Sequence, residues 1–219
     1  MIRTDDDIAR ELQALLAIAP LLRPVAERAG PIPLRASPPG LRGLVGTMIG
    51  QQVSRASAGA ILGRLEALVD LDDARAILGA DDAAMRAAGL SRAKERTLLA
   101  IAGAVTSGRL DIARLSAAEP DAAIAELVRL PGIGPWTAEC FLLFSAGHVD
   151  IFPAGDLALR IALGRALGPS ERPTIREVMQ TAKAFAPHRS IAARLFWAYY
   201  AAVARRDAAP VVAPAAKPC

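Results

Sequence analysis

The sequence predicts an all-α protein, and three observations carry that expectation. Forty-eight of the 219 residues are alanine, while Phe, Trp and Tyr together make up 4%. Such a composition favours helix over the β-branched and aromatic surfaces of strands. Apolar residues recur at helical spacing, and strict alternation is nearly absent. Start and stop signals then cut the chain into short helical pieces. A hydrophobic content of 53% excludes wholesale disorder. The length suits one domain or two small lobes.

Each element has its own justification. Asp5 to Arg28 reads as helical, broken at Pro20 and Pro24. The Pro/Gly-rich stretch 30–40 is a connector. Helical pattern runs from Leu41 to about Val69 with a break near Gln51 and Gln52, and Ser54 caps the second part. Asp81 and Asp82 open a short helix that ends at Gly89. Ser91 opens another that stops at Gly108. Asp121 starts a helix ending at Leu130, and Pro135 suits the first position of the next, which ends near Gly147. Asp156 begins a helix that ends before Gly168 and Pro169. Thr174 and Glu177 form a capping box. Ser190 to about Arg205 makes the last helix. The tail after it, rich in Pro and Ala, is expected to be disordered. This predicts nine to eleven helices and no sheet.

Composition also excludes whole classes. There are 26 Lys+Arg against 22 Asp+Glu, a formal charge of +4. That mild excess is compatible with a polyanionic partner without requiring one. Only Lys94, Lys183 and Lys217 are lysines. Two cysteines, Cys140 and Cys219, cannot build a disulfide framework or a four-cysteine metal or iron–sulfur site. The two histidines, His148 and His188, have no metal-ligand spacing. The N-terminus has three early aspartates and no apolar core, unlike a signal peptide. No membrane span is expected, and the default setting is the reducing cytoplasm.

The most informative stretch is Leu130-Pro131-Gly132-Ile133-Gly134-Pro135-Trp136-Thr137-Ala138. It joins two amphipathic helices through a tight turn. Gly132 and Gly134 can take positive φ and allow close backbone approach. Their amides would lie beside the positive N-terminal end of the helix starting at Pro135, a natural phosphate seat. This string resembles the helix-hairpin-helix motif of DNA-binding proteins. Twenty residues past Trp136 comes Phe152-Pro153-Ala154-Gly155-Asp156-Leu157-Ala158-Leu159-Arg160. Pro and Gly force a turn that puts Asp156 at a helix start, where capping alone would also explain it.

Together the two strings resemble the helix-hairpin-helix (HhH-GPD) DNA glycosylase superfamily. Within it the chain is similar to the DNA-3-methyladenine glycosylase II, or alkyl-base, branch. Met48-Ile49-Gly50-Gln51-Gln52-Val53-Ser54 is similar to the branch's I-x-Q-Q-x-S signature. Gly89-Leu90-Ser91-Arg92-Ala93-Lys94 resembles its G-L-S-x-x-K segment, and Pro187-His188-Arg189-Ser190 with Trp197 its P-x-R-S…W segment. The likeness spans roughly 38–200. With only about 35 residues before the signature, the chain resembles the compact form without the N-terminal β domain.

The resemblance implies two helical lobes with the active site in the cleft between them. Residues 1–37 would form a helical segment packing with the C-terminal lobe. Residues 38–120 would form the lobe with the wedge signature, 121–205 the lobe with the hairpin and catalytic Asp, and 206–219 a tail. It implies a monofunctional glycosylase of base excision repair that flips alkylated purines of the 3-methyladenine and 7-methylguanine type out of double-stranded DNA. Asp156 is then the catalytic carboxylate, stabilising an oxocarbenium-like sugar. A helix N-terminus favours such a negative charge. Gln52, with Gln51 beside it, is the wedge that fills the gap; helix-end solvation is the other reading for this pair. Trp136 and Trp197 line a pocket for a cationic base, with core packing as their alternative. Cys140 and Leu157 stand at pocket positions where some relatives have tyrosines. Gly132, Gly134, Thr137, Ser54 and Arg55 contact phosphates. The carbonyls of Val128, Leu130 and Ile133 could hold a structural Na+ or K+, and no cofactor is required. The position two past the hairpin's last glycine, a lysine in bifunctional relatives, is Trp136, so no lyase activity is expected. A monomer acting on DNA in the bacterial cytoplasm, at the nucleoid, completes the expectation. Two other readings stay open: a non-catalytic damage binder that kept the hairpin, and a mismatch or oxidised-base glycosylase with lyase activity.

Overall fold

The structure is a computed structural model that describes residues 1–168 and 172–204. The tail 206–219, the Arg205 end of the last helix and Pro169 lie outside the described residues. Among those described there is no strand, and thirteen α-helices account for the architecture. None of them is long and apolar enough to cross a membrane.

The chain divides into two compact units, one formed by Met1–Arg35 with the described residues from Gly147 onward, the other by Ala36–Ala146. Division at residue 121 would have put the hairpin and Asp156 in one lobe. Instead the hairpin belongs with 36–146, because its helices pack on elements earlier in the chain.

In the first unit, α1 (Asp5–Ile18) starts with a Thr4 capping box. A 3₁₀ turn (Pro20–Leu22) leads into α2 (Arg23–Ala29). Pro20 and Pro24 sit in the first turn of the 3₁₀ segment and of α2, so each opens an element. The unit continues with α11 (Leu157–Leu167), α12 (Ile175–Ala182), a 3₁₀ turn (Lys183–Phe185) and α13 (Arg189–Ala204), where α11 and α12 are numbered by their place in the whole chain. Helix α13 is the axis: α1, α2 and α11 all pack on it. Ile191, Leu195 and Phe196 on α13 are fully buried. The rings of Phe152, Phe185 and Phe196 meet with centroids 5.9–6.3 Å apart. Arg194 on α13, 3% exposed, donates to the Leu34 carbonyl. Burial and the neighbouring Arg35 charge push its guanidinium down to about 9.

The second unit holds α3 (Gly40–Ile49), α4 (Arg55–Glu66), α5 (Ala74–Gly79), α6 (Asp82–Ala88), α7 (Arg92–Thr106), α8 (Ile112–Ala117), α9 (Pro120–Leu127) and α10 (Pro135–Phe141), the last continuing as a π turn (Leu142–Ala146). Ser54, Asp81 and Ser91 cap α4, α6 and α7 through their side chains, and Gly89 ends α6 in the left-handed region. The six-residue helices α5 and α8, capped by Asp73 and Asp111, were not expected. Helix α3 is the core of this unit, with Leu44, Val45, Met48 and Ile49 at 0% exposure and α4, α7, α8 and α10 around it.

Gly43 on α3 has a packing role: a Cβ there would collide with the Pro38 carbonyl and lie 2.6 Å from Ser145 Oγ. Gly63 on α4 faces open space. Gly43→Ala should therefore destabilise the protein by about 1–3 kcal/mol through overpacking. Gly63→Ala should stabilise it by about 0.5–1 kcal/mol through helix propensity. Denaturant melts of the two variants check the opposite signs.

Candidate active site

The first unit positions the candidate carboxylate, Asp156. The N-terminus of α13 clamps the segment leading to α11. Arg189 grips Asp150 with two guanidinium contacts, Nε to Oδ1 at 2.7 Å and Nη2 to Oδ2 at 2.9 Å. The fully buried Ser190 accepts the Ile151 amide at 2.9 Å and donates to the Ile151 carbonyl at 3.2 Å. Its own amide reaches the Val149 carbonyl at 3.0 Å. Five residues past Ile151, Asp156 caps α11: its Oδ1 accepts the Leu159 amide at 3.0 Å. The same oxygen accepts Trp197 Nε1–H at 3.2 Å. Ser190 and Trp197 are two helical turns apart on α13, about 10 Å along one face. One helix thus anchors the loop at its base and the carboxylate at its end. Asp156 is only 8% exposed and Trp197 only 2%.

The second unit carries the hairpin. The turn between α9 and α10 puts Gly132 at φ +83°, and a Cβ there would collide with the Thr97 hydroxyl of α7. Only glycine fits. Ile133 is buried at 4% and pins the turn, and its amide bonds the Leu130 carbonyl at 3.1 Å. The Gly132 and Gly134 amides donate to no other described residue. They stand before α10, where Pro135 brings no N–H of its own. Gln51, Gln52, Gly132, Gly134, Trp136 and Thr137 line an open depression of ≈ 450 Å³. Gln51 spans it: Nε2 donates to the Gly132 carbonyl at 3.0 Å and to Thr137 Oγ1 at 2.6 Å. Lys94 Nζ donates to the Ile49 carbonyl at 2.6 Å, and partial burial lowers its pKa.

Several expected roles change on this geometry. Gly134 is extended (φ −94°, ψ 172°) and a Cβ there meets nothing within 4 Å, so its glycine identity is not needed for a left-handed turn. Thr137 is 2% exposed and its amide bonds the Gly134 carbonyl at 3.0 Å, which removes it as a phosphate donor. Gln51 spends both amide hydrogens inside the protein, so it is a brace and not a wedge. Cys140, at 0% exposure, lines no open pocket. Trp197 presents no open face; its indole holds Asp156. Gln52 and Arg55 are exposed, Trp136 is half-buried, and Leu157 is 49% exposed. Ser54 is also exposed, its hydroxyl accepting the Ser57 amide as a cap. Asp150, Ser190 and Thr97 were missed as positioning groups. The P-x-R-S motif carried the signal for the first two.

The fold is that of an all-α helix-hairpin-helix protein. The chain belongs to the HhH-GPD superfamily of base excision DNA repair proteins, whose family model matches residues 45–188. It is 32% identical over 161 residues to DNA-3-methyladenine glycosylase 1 of Schizosaccharomyces pombe, covering 70% of this chain and 69% of that protein. A crystal structure of DNA-3-methyladenine glycosidase from Bacillus halodurans superposes with a TM-score of 0.75 at 32% identity, covering 88% of each chain. The S. pombe 3-methyladenine DNA glycosylase Mag1 in complex with abasic DNA gives 0.70 at 26% identity, covering 87% of this chain and 90% of that one.

The Asp150–Arg189 clamp predicts a pH dependence. Burial raises the Asp150 pKa, but the hydrogen bonds from Arg189 outweigh it and the net shift is downward from 3.8. Such a group stabilises the fold above its unfolded pKa and loses that contribution as pH falls through the lower folded value. Wild type should be more stable than Asp150→Asn at pH 7. The gap should narrow only below the ordinary carboxylate value. A gap that stays constant down to pH 2 in thermal melts contradicts the clamp.

Proposed function

We propose that the protein is a monofunctional DNA glycosylase that hydrolyses the N-glycosidic bond of alkylated purines, of the 3-methyladenine and 7-methylguanine type, in double-stranded DNA. The observation that carries this is Asp156: a buried carboxylate on a helix N-terminus, oriented by the Leu159 amide and the Trp197 indole. Pure DNA binding has no use for a fixed carboxylate beside a polyanion.

In this mechanism the Gly132 and Gly134 amides seat a backbone phosphate, with Arg55 at the start of α4 adding charge. The target nucleotide leaves the stack, Gln52 enters the gap, and Trp136 offers its ring to the cationic base. An N3- or N7-alkylated purine leaves as a neutral base with the bonding electron pair, so no acid need protonate it. Positive charge develops on the sugar, and Asp156 stabilises it electrostatically. The same carboxylate orients the water that adds to C1′ and accepts its proton. Trp136 stands where bifunctional relatives have a lysine, so no imine with the sugar forms.

The family resemblance also allows a monovalent cation at the hairpin. Among the described residues the Val128 and Ile133 carbonyls accept no backbone amide, while that of Leu130 accepts Ile133 N–H. These neutral oxygens suit a hard cation such as Na+ or K+, which would supply positive charge toward a phosphate. Among the described residues no group of three His, Cys, Asp or Glu could hold a metal.

Asp156→Asn keeps a good cap, so the fold should survive. Release of 3-methyladenine from methylated DNA should fall by about 10²-fold or more, while affinity for abasic-site DNA persists. Release at the wild-type rate overturns the catalytic assignment. A covalent adduct on borohydride treatment overturns the monofunctional one.

A further inference from the structure

The loop between α3 and α4 contains a conformation that glycosylase chemistry alone does not explain. Gln52 has φ +56°, in the left-handed region that glutamine rarely adopts. The chain on its N-terminal side is pinned twice. Lys94 Nζ holds the Ile49 carbonyl at 2.6 Å, and Gln51 Nε2 holds the Gly132 carbonyl and Thr137 Oγ1. On the other side, Ser54 is committed to capping α4. Only Gln52 and Val53 lie between these fixed points, and both are exposed.

We propose that Gln51 is a positioning residue that, with Lys94, holds Gln52 in its left-handed backbone conformation, ready to enter the gap left by a flipped base. This rests on the glycosylase reading above and deepens it. A strained backbone persists only where its surroundings over-determine it, and here the surroundings are two named side-chain clamps. Both hydrogens of the Gln51 amide are used, so the residue has no donor left for DNA. Its effect on DNA passes through its neighbour. The Thr137 hydroxyl it meets lies in the first turn of α10, so the loop is also tied to the hairpin that seats the phosphate.

A double-mutant cycle reads this directly. The probe is duplex DNA with a tetrahydrofuran abasic site, against undamaged duplex of the same sequence. Gln51→Ala and Gln52→Ala should each lower the preference for abasic DNA by about tenfold. The double variant should be no worse than the weaker single one. Affinity for undamaged duplex and its salt dependence should not move, because the phosphate contacts remain. A merely structural role for Gln51 would instead weaken both DNAs and leave the losses additive. Lys94→Met is the second variant should Gln51→Ala not fold: it too should lose abasic preference in a Gln52-dependent way. Additive losses, or a folded Gln51→Ala with full preference, overturn the proposal while wild-type base release still stands. A wild type with neither base release nor abasic preference sinks the glycosylase reading, and the proposal with it.

Discussion

One buried carboxylate organises the first unit. Asp156 has 8% of its surface exposed, and a buried charge is tolerated only where donors replace water. Two donors are placed on one of its oxygens, a backbone amide of α11 and the indole N–H of α13. Other contacts within the unit hold the loop that carries it. The Phe152–Phe185–Phe196 cluster seats the loop on α13. Arg189 and Ser190 fix the same loop at the start of α13, and Trp197 fixes its end two turns later. In the proposed reaction, such preorganisation would leave little to move as positive charge develops on the sugar.

The second unit presents a different kind of surface. The net charge is only +4, and the hairpin offers backbone amides at a helix start instead of a long basic groove. That geometry is bought by Gly132, whose missing Cβ lets the turn close against Thr97. Helix α7 therefore does two jobs from one turn: Lys94 steadies the end of α3 and Thr97 receives the hairpin.

Much of this was legible in the residues. Caps at Ser54, Asp81, Ser91, Asp156 and Thr174 marked helix starts that the structure confirms, since capping is a local interaction. Helices α5 and α8 escaped notice because six residues carry too little periodicity, although Asp73 and Asp111 cap them in the same way. The hairpin was readable, but which glycine needs positive φ was not: Gly132 is fixed by Thr97, which lies 35 positions away in sequence. Burial separated the pocket residues for the same reason. Trp136 and Trp197 look alike in sequence, and only packing makes one half-buried beside the hairpin and the other a hydrogen-bond donor to Asp156. Gln51 and Gln52 are neighbours with opposite fates, one turned inward as a brace and one exposed with a left-handed backbone.

The Trp197 indole holds the Asp156 carboxylate in place. Trp197→Phe tests this role most directly, because it removes the N–H donor while keeping an aromatic ring in the core. Single-turnover release of 3-methyladenine from methylated duplex should slow by about tenfold, the cost of one lost hydrogen bond to a charged group. Affinity for abasic-site DNA should be unchanged. An unaltered single-turnover rate in a folded Trp197→Phe protein would contradict this role for the indole.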